Sequence, residues 1–199
     1  MTRKNAGRSA TVARETKETG IRLSLVLDGS GKAKTESPLG FWNHMLTLFA
    51  FFGKFDLSVK AAGDIEVDEH HLVEDLGICL GEAFKQALGG KTGIRRFGAA
   101  LAPMDETLVQ TALDISGRPY LMFNIPLIRE KENSALLENA REFLKGFVNH
   151  AGITLHVTLF SGENLHHISE AIFKGLGLAL RDAVEVRDRG VSSTKGKFD

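Results

Sequence analysis

The stretch His70-His71-Leu72-Val73-Glu74 occurs twice in this chain, and it returns 96 positions later as His166-His167-Ile168-Ser169-Glu170. Residues beyond the two copies also match at this spacing, such as Gly81 with Gly177. A repeat that extends past the polar cluster indicates an internal duplication, in which each half contributes one supersecondary unit. The stretch therefore predicts a fold of two similar halves.

Each copy begins a predicted helix. Apolar residues keep helical spacing from His70 to Leu88, and Gly89-Gly90 then ends the pattern. The second copy predicts a helix that starts at His166 and runs to about Val184. Two further helices are predicted at 41–52 and 136–148. Alternating segments predict strands at 21–27, 56–67 (interrupted at Gly63-Asp64), 96–101, 107–115 and 153–160.

These elements predict two α+β halves, residues 13–92 and 93–187, that pack as one body. The turn Asp28-Gly29-Ser30-Gly31 has a counterpart in Asp114-Ile115-Ser116-Gly117, so the repeat covers most of each half. Residues 1–12 are polar and basic, which is typical of a flexible leader or a loosely held first strand. Residues 188–199 form a C-terminal tail of small and polar residues.

The bulk composition narrows the class of protein. Of the 199 residues, 43% are apolar and 25% are charged, and the formal net charge is zero. A neutral chain argues against nucleic-acid and membrane-surface roles, which usually need a basic excess. No apolar run approaches the roughly 20 residues that span a bilayer. The single cysteine, Cys79, cannot form an intrachain disulfide, and we expect a cytoplasmic protein.

The repeated histidines point to metal binding. Adjacent residues diverge by about 100° around a helix, so the two rings of one doublet cannot easily serve one ion. Two doublets with the carboxylates of Glu74 and Glu170 therefore fit two metal centres, which His44 and His156 could complete. Imidazole and carboxylate donors suit Mn²⁺, Fe²⁺, Zn²⁺ or Ni²⁺ without selecting among them. We interpret His150 as a structural residue.

Basic residues suggest a phosphorylated ligand. Arg96, Arg118, Lys174 and Lys195 lie beside turns or near a histidine cluster, and a phosphate that spans them would explain this placement. Glu18 precedes the first predicted strand, where it could act as a general acid or base or be a solvated strand end.

The chain also resembles the family of imidazoleglycerol-phosphate dehydratases over residues 14–197, with the family's motifs in order. These motifs are Arg14 to Thr19, Gly40-Phe41-Trp42-Asn43-His44-Met45-Leu46, Gly63 to Gly81, Pro103-Met104-Asp105-Glu106, Asp114 to Pro119, Gly162 to Lys174 and Ser193-Thr194-Lys195-Gly196.

The resemblance implies a hydro-lyase of histidine biosynthesis, which removes water from D-erythro-imidazole-glycerol phosphate to give imidazole-acetol phosphate. It implies two Mn²⁺ ions per active site. The implied fold has two four-stranded sheets with the helices packed between them. It also implies a 24-subunit shell built from trimers, with active sites at subunit interfaces.

The resemblance further implies which residues act. The implied metal ligands are His44, His70, His71, Glu74, His156, His166, His167 and Glu170. The implied catalytic carboxylates are Glu18, Glu74 and Glu170. The implied substrate contacts, chiefly to the phosphate, are Glu18, Arg96, Arg118, Lys174, Ser193, Thr194 and Lys195.

Three positions depart from the family's usual pattern. Asn43 stands where Asp is usual, Phe52 where His is usual, and Glu69 where Asp is usual. Asn43 and Phe52 keep open a metal-binding oligomeric homologue with reduced or altered activity. Paired metal ions can also activate water, which keeps open a dinuclear metal hydrolase.

Overall fold

Each half of the chain builds one four-stranded sheet and two helices. The computed structural model describes residues 7–126, 135–187 and 190. The first half contains β1 (Ser9–Glu15), β2 (Thr19–Val26), β3 (Ala33–Glu36), α1 (Gly40–Gly53), β4 (Asp56–Gly63) and α2 (His70–Leu88). The second half contains β5 (Phe97–Met104), β6 (Thr107–Asp114), β7 (Tyr120–Asn124), α3 (Ala135–Ala151), β8 (Thr154–Ser161) and α4 (Leu165–Val184).

The two sheets have the same topology. Their strand orders are β1-β2-β4-β3 and β5-β6-β8-β7. All pairs are antiparallel except β3–β4 and β7–β8, which are parallel because α1 and α3 carry the chain across between them. The predicted duplicated α+β fold with two four-stranded sheets is therefore confirmed.

Alternating burial directs one face of each sheet toward the helices. In β2 and β6 every second residue is buried. This is the period of two that is expected of a strand with one buried face. Helix α2 packs on β1 and β2, and α4 packs on β5 and β6. The core between the sheets is centred on Trp42, which stacks on Phe143 and contacts Phe173 edge to face.

The halves share their helices. Helix α1 packs on α4 of the other half, and α3 packs on α2. Glycines allow this approach, since a methyl group on Gly177 would lie 2.6 Å from the carbonyl oxygen of Phe49. One on Gly81 would lie 2.5 Å from that of Phe147. The buried apolar residues of both halves form one cluster, so the two halves share a core.

The structure departs from the predicted elements at strands and boundaries. Strands β3 and β7 were not predicted, because they are short edge strands whose residues are only partly buried or exposed. Strand β4 ends at Gly63 rather than 67, because the chain turns after Asp64, whose carbonyl accepts from the amide of Val67 at 2.9 Å. Residues 9–12, assigned to the leader or a loose strand, belong to β1.

The described part of the chain contains the four helices α1 to α4. None of the four is long and apolar enough to cross a membrane.

Candidate metal and substrate site

Helices α1 and α4 bring three candidate metal ligands together. The Nε2 atoms of His44 and His166 lie 3.1 and 2.9 Å from the same oxygen, Oε1 of Glu170. His166 and Glu170 are four residues apart and therefore share one face of α4. Asn164 caps this helix through its side chain, which accepts from the His166 amide at 2.9 Å. This cap fixes the start of α4 and so the position of His166 and His167 in its first turn.

Lys174 extends this cluster by one helical turn. Its Nζ lies 2.7 Å from Oε2 of Glu170. Burial raises the pKa of Glu170, but hydrogen bonds from Lys174, His44 and His166 outweigh it and bring the pKa to about 2. The carboxylate therefore stays ionised, as a metal ligand must. The ligating atoms of His44, His166 and Glu170 all lie within 4.8 Å of one another, so this set can hold a divalent first-row metal ion.

His71 belongs to a second group at the start of α2. Its Nδ1 lies 3.1 Å from Oδ2 of Asp64 and 3.9 Å from Oε2 of Glu18. The hydrogen bond to Asp64 raises the pKa of His71, despite partial desolvation. With Nδ1 held by a carboxylate, Nε2 is the ring nitrogen that could bind a metal ion.

His167 has the same arrangement with a different partner. Its Nδ1 lies 2.8 Å from Oε2 of Glu106. The other oxygen of Glu106 accepts from the amide of Asn164 at 3.0 Å. The hydrogen bond from His167 lowers the pKa of Glu106 well below its usual range. Glu106 is the repeat counterpart of Glu18, which lies 88 positions earlier. It was not predicted as a site residue, although its place in the repeat could have indicated it.

His70 and Glu74 lie one helical turn apart on α2 without an observed side-chain contact to each other. The amide of His70 donates to the carboxylate of Asp68. The ring centroids of His70 and His71 lie 6.1 Å apart. The structure thus assembles one set of three converging donors among the described residues, on α1 and α4.

The arginines lie at the opposite end of the second half. Nε of Arg96 lies 2.6 Å from Oδ1 of Asp114, and an Nη of Arg118 lies 3.8 Å from Oδ2. The amide of Arg96 donates to Ala183 in the last turn of α4, 13 residues beyond Glu170. At 1.5 Å per helical residue, that separation is about 20 Å. One chain therefore does not bring these arginines to the α1–α4 cluster.

His156 is also separate from the other candidate ligands. It is exposed on β8, on the sheet face away from the helices, with its ring 6.0 Å from that of Tyr120. The repeat offers a different counterpart for His44. Nine residues before the end of α1 stands His44, and nine before the end of α3 stands Glu142.

Glu142 lies beside α2 as His44 lies beside α4. It is 23% exposed and accepts from Lys145 at 2.9 Å. The hydrogen bond to Glu142 raises the pKa of Lys145, and the charge of Glu74 adds to it, so both carboxylates lie near one amine. Glu142 was not predicted from the sequence, because its match to His44 appears only when the ends of α1 and α3 are aligned.

Two of the departures from the family's pattern have structural partners elsewhere. The side chain of Asn43 is bonded to Ser37, with its Nδ2 donating to the Ser37 carbonyl at 2.9 Å, so it does not hold the His44 ring. Glu69 accepts from Asn139 at 2.8 Å and ties α2 to α3.

The remaining departure, Phe52, and the C-terminal tail bear on residues that were predicted to contact the substrate. Phe52 lies under the amine of Lys174, 5.9 Å from ring centroid to Nζ, which is within cation–π range. The predicted tail contacts Ser193, Thr194 and Lys195 lie outside the described residues.

Comparisons with known proteins agree with this geometry. The family model described as imidazoleglycerol-phosphate dehydratase matches residues 37–180. Imidazoleglycerol-phosphate dehydratase of Citrifermentans bemidjiense is 54% identical over 193 residues, covering 96% of this chain and 99% of that one. The same-named protein of Acetivibrio thermocellus is 54% identical over 191 residues, covering 95% and 98%.

Solved structures of imidazoleglycerol-phosphate dehydratases are also similar to this chain. The dehydratase of Pyrococcus furiosus, crystallised with (S)-C348, has a TM-score of 0.82 and 38% identity, covering 94% of this chain and 100% of that one. That of Staphylococcus aureus has a TM-score of 0.79 and 37% identity, covering 89% and 99%. The chain belongs to the imidazoleglycerol-phosphate dehydratase family.

Proposed function

We propose that this chain is a metal-dependent hydro-lyase that converts D-erythro-imidazole-glycerol phosphate to imidazole-acetol phosphate in histidine biosynthesis. The observation that carries the proposal is the α1–α4 cluster, where two ring nitrogens converge on an ionised, buried carboxylate beside Lys174. This arrangement supplies a cation site and an anion-binding amine next to each other, as an imidazole phosphate ester requires. A hydrolase has no comparable support among the described residues.

We propose that the active site holds two Mn²⁺ ions. His44, His166 and Glu170 would hold one, and the α2 group of His70, His71 and Glu74 with His167 would contribute to the other. When bound, such ions supply Lewis acidity and a template for the imidazole ring of the substrate. The eighth ligand is predicted to be His156 from the resemblance, whereas the internal repeat supports Glu142.

The residues of the chain then divide the remaining tasks. Glu18 is 56% exposed beside His71, so its carboxylate can reach a substrate proton as general acid or base. Glu74 and Glu170, predicted as catalytic carboxylates, act through the ions that they would hold. The phosphate would be bound by Lys174, Arg96 and Arg118, together with the tail residues Ser193, Thr194 and Lys195. Binding the phosphate at several points fixes the ring relative to these groups.

We propose that the site is completed by neighbouring subunits. The roughly 20 Å along α4 between Arg96 and Glu170 is too far for one small substrate, so a second chain has to supply one group. The second sheet has a surface that could mediate self-association. The outer face of the second sheet exposes the large apolar side chains Phe97, Leu101, Tyr120, Met122 and Phe160.

The first sheet lacks such a face, since its outward residues in β2 and β4 include Arg22, Ser24, Ser58 and Lys60. An apolar patch of this kind marks an association surface. We propose a 24-subunit shell built from trimers, located in the cytoplasm, with residues 188–199 as a substrate-binding tail.

Replacing Glu18 tests the proposed mechanism. Glu18→Gln keeps the shape and removes the proton-transfer group, so we expect kcat to fall by roughly 10²-fold or more. Glu15→Gln is the matched control, because Glu15 is an exposed glutamate at the end of β1, three residues before Glu18. Steady-state kinetics on metal-replete protein measure both. Unchanged kcat for Glu18→Gln would remove the catalytic role of Glu18.

A further inference from the structure

We infer that Asp75 is a positioning residue that keeps the carboxylate of Glu18 available for proton transfer, an inference that rests on the proposed function. Asp75 is a charged residue in the core, only 7% exposed, one position after Glu74 on α2. Its Oδ2 accepts a hydrogen bond from the hydroxyl of Thr19 at 2.5 Å. Its Oδ1 forms an ion pair with Nε of Arg14 at 2.8 Å.

Thr19 connects Asp75 to the turn that carries Glu18. The amide of Thr19 donates to the hydroxyl of Thr16 at 2.9 Å, and that hydroxyl also accepts from the amide of Glu18 at 3.1 Å. The carbonyl of Glu18 accepts from the amide of Asp64 at 3.0 Å. The turn is therefore a closed hydrogen-bonded unit, and the Thr19–Asp75 bond is a buried attachment of that unit to α2.

The second half shows what the same turn does without these residues. Its counterparts of Glu18 and Thr19 are Glu106 and Thr107, whereas Arg14 and Asp75 are replaced by Ala102 and Ala171. There the threonine hydroxyl donates to the neighbouring glutamate, from Thr107 to Oε1 of Glu106 at 3.0 Å. The carboxylate of Glu106 is further used by His167.

The difference between the two turns indicates what Asp75 does. In the first half Asp75 takes the threonine hydroxyl that would otherwise donate to the glutamate, and Asp64 takes the histidine Nδ1. The carboxylate of Glu18 consequently remains exposed, 3.9 Å from His71. The duplication thus produced one turn whose glutamate orients a histidine and one whose glutamate can transfer protons.

Four variants test this assignment, each measured for kcat, KM and bound manganese. We expect Asp75→Asn and Thr19→Val to lower kcat by about tenfold, because each weakens or removes the link that diverts the hydroxyl. KM and manganese content should stay within about twofold of wild type if only Glu18 is displaced. Thr19→Ser keeps the hydroxyl and should retain most of the wild-type kcat.

The decisive arm places Asp75→Asn in the Glu18→Gln background. A residue that acts through Glu18 causes no further loss there, whereas one that supports the fold or the metal site lowers kcat again. A second loss, or an unchanged kcat in both Asp75→Asn and Thr19→Val, overturns the inference while leaving the proposed function in place. A wild-type protein that does not convert the substrate refutes the proposed function itself.

Discussion

His71 and His167 occupy equivalent positions in the repeat, yet different carboxylates hold their Nδ1 atoms. Asp64 holds His71, and Glu106 holds His167. Histidine ligands commonly depend on such a partner, because it fixes the tautomer and directs the other nitrogen to the ion. The duplication has kept this physical requirement while changing the residue that meets it.

Single substitutions can distinguish Glu142 from His156 as the eighth metal ligand. If Glu142 is the counterpart of His44, Glu142→Ala should lower the affinity for Mn²⁺ by at least about 10- to 100-fold, which is the loss typical of removing a residue that only orients a ligand. The manganese content should fall with it. His156→Ala should then leave manganese content close to wild type. Metal analysis after dialysis against limiting Mn²⁺ measures both variants, and the reverse pattern would assign the ligand to His156.

Asn43 gives a second prediction at this scale. Its amide is bonded to Ser37 rather than to the His44 ring, so the missing negative charge does not act on the ligand. We expect Asn43→Asp to leave the affinity for Mn²⁺ within about twofold of wild type. Titration of metal-free protein with Mn²⁺ measures this affinity, and a large gain in the variant would show that the substitution has weakened the site.

Among the elements, the turn between β2 and β3 depends on one carboxylate. Oδ1 of Asp56 accepts from the amides of Ser30 and Lys32 at 2.8 and 3.0 Å. The hydrogen bonds from Ser30 and then Lys32 lower the pKa of Asp56 below its ordinary value of 3.8. The ionised form is therefore favoured by folding, and Asp56 stabilises the protein only while it is charged.

This dependence predicts a pH signature. Asp56→Asn should lower the free energy of unfolding by about 1 kcal/mol near neutral pH, since its hydrogen bonds become uncharged. Because the folded pKa is depressed, the difference from wild type is fully present above the unfolded pKa of 3.8 and shrinks as pH falls through the folded pKa.

Urea unfolding followed by the fluorescence of Trp42, which is buried and is the chain's single tryptophan, measures the difference at each pH. A difference that grows as the pH falls below 3.8 contradicts this account of the turn.

Helices with long, regular periodicity could be predicted from the sequence, whereas short edges could not. Helix α2 was predicted to span His70 to Leu88, as observed, because its apolar residues repeat over five turns and glycine ends it. Strands β3 and β7 lack a buried alternating face, since each contacts only one neighbour. Their positions depend on the parallel pairing with β4 and β8, which no local pattern contains.

The site could be predicted as a set of residue types but not as an arrangement. The doublets identified His166 and Glu170 because four residues make one helical turn. Their convergence on His44 depends on α1 packing against the helix of the other half, which is a property of the tertiary fold. Glu106 and Glu142 become visible when the two halves are aligned element by element, because equivalent pairs differ in spacing: Glu18 and Glu106 are 88 positions apart, whereas His70 and His166 are 96 apart.

The whole molecule predicts functional complementation between subunits. Arg118→Ala and Glu170→Gln should each be inactive, because they remove the proposed phosphate contact and a proposed metal ligand. If each site draws these residues from different chains, mixed assemblies contain some sites with both intact, so joint refolding restores part of the activity. Separately refolded and then mixed samples are the control, and equal inactivity in both would place each site within one chain.

One assay tests directly whether this chain is a metal-dependent dehydratase. Wild-type protein is incubated with D-erythro-imidazole-glycerol phosphate as purified, after chelation, and after readdition of Mn²⁺, with the product identified by mass spectrometry. We expect imidazole-acetol phosphate, lighter by one water, to form in the first sample, to be lost in the second and to return in the third. Absence of this product from the Mn²⁺-replete sample, or undiminished turnover after chelation, would contradict the account.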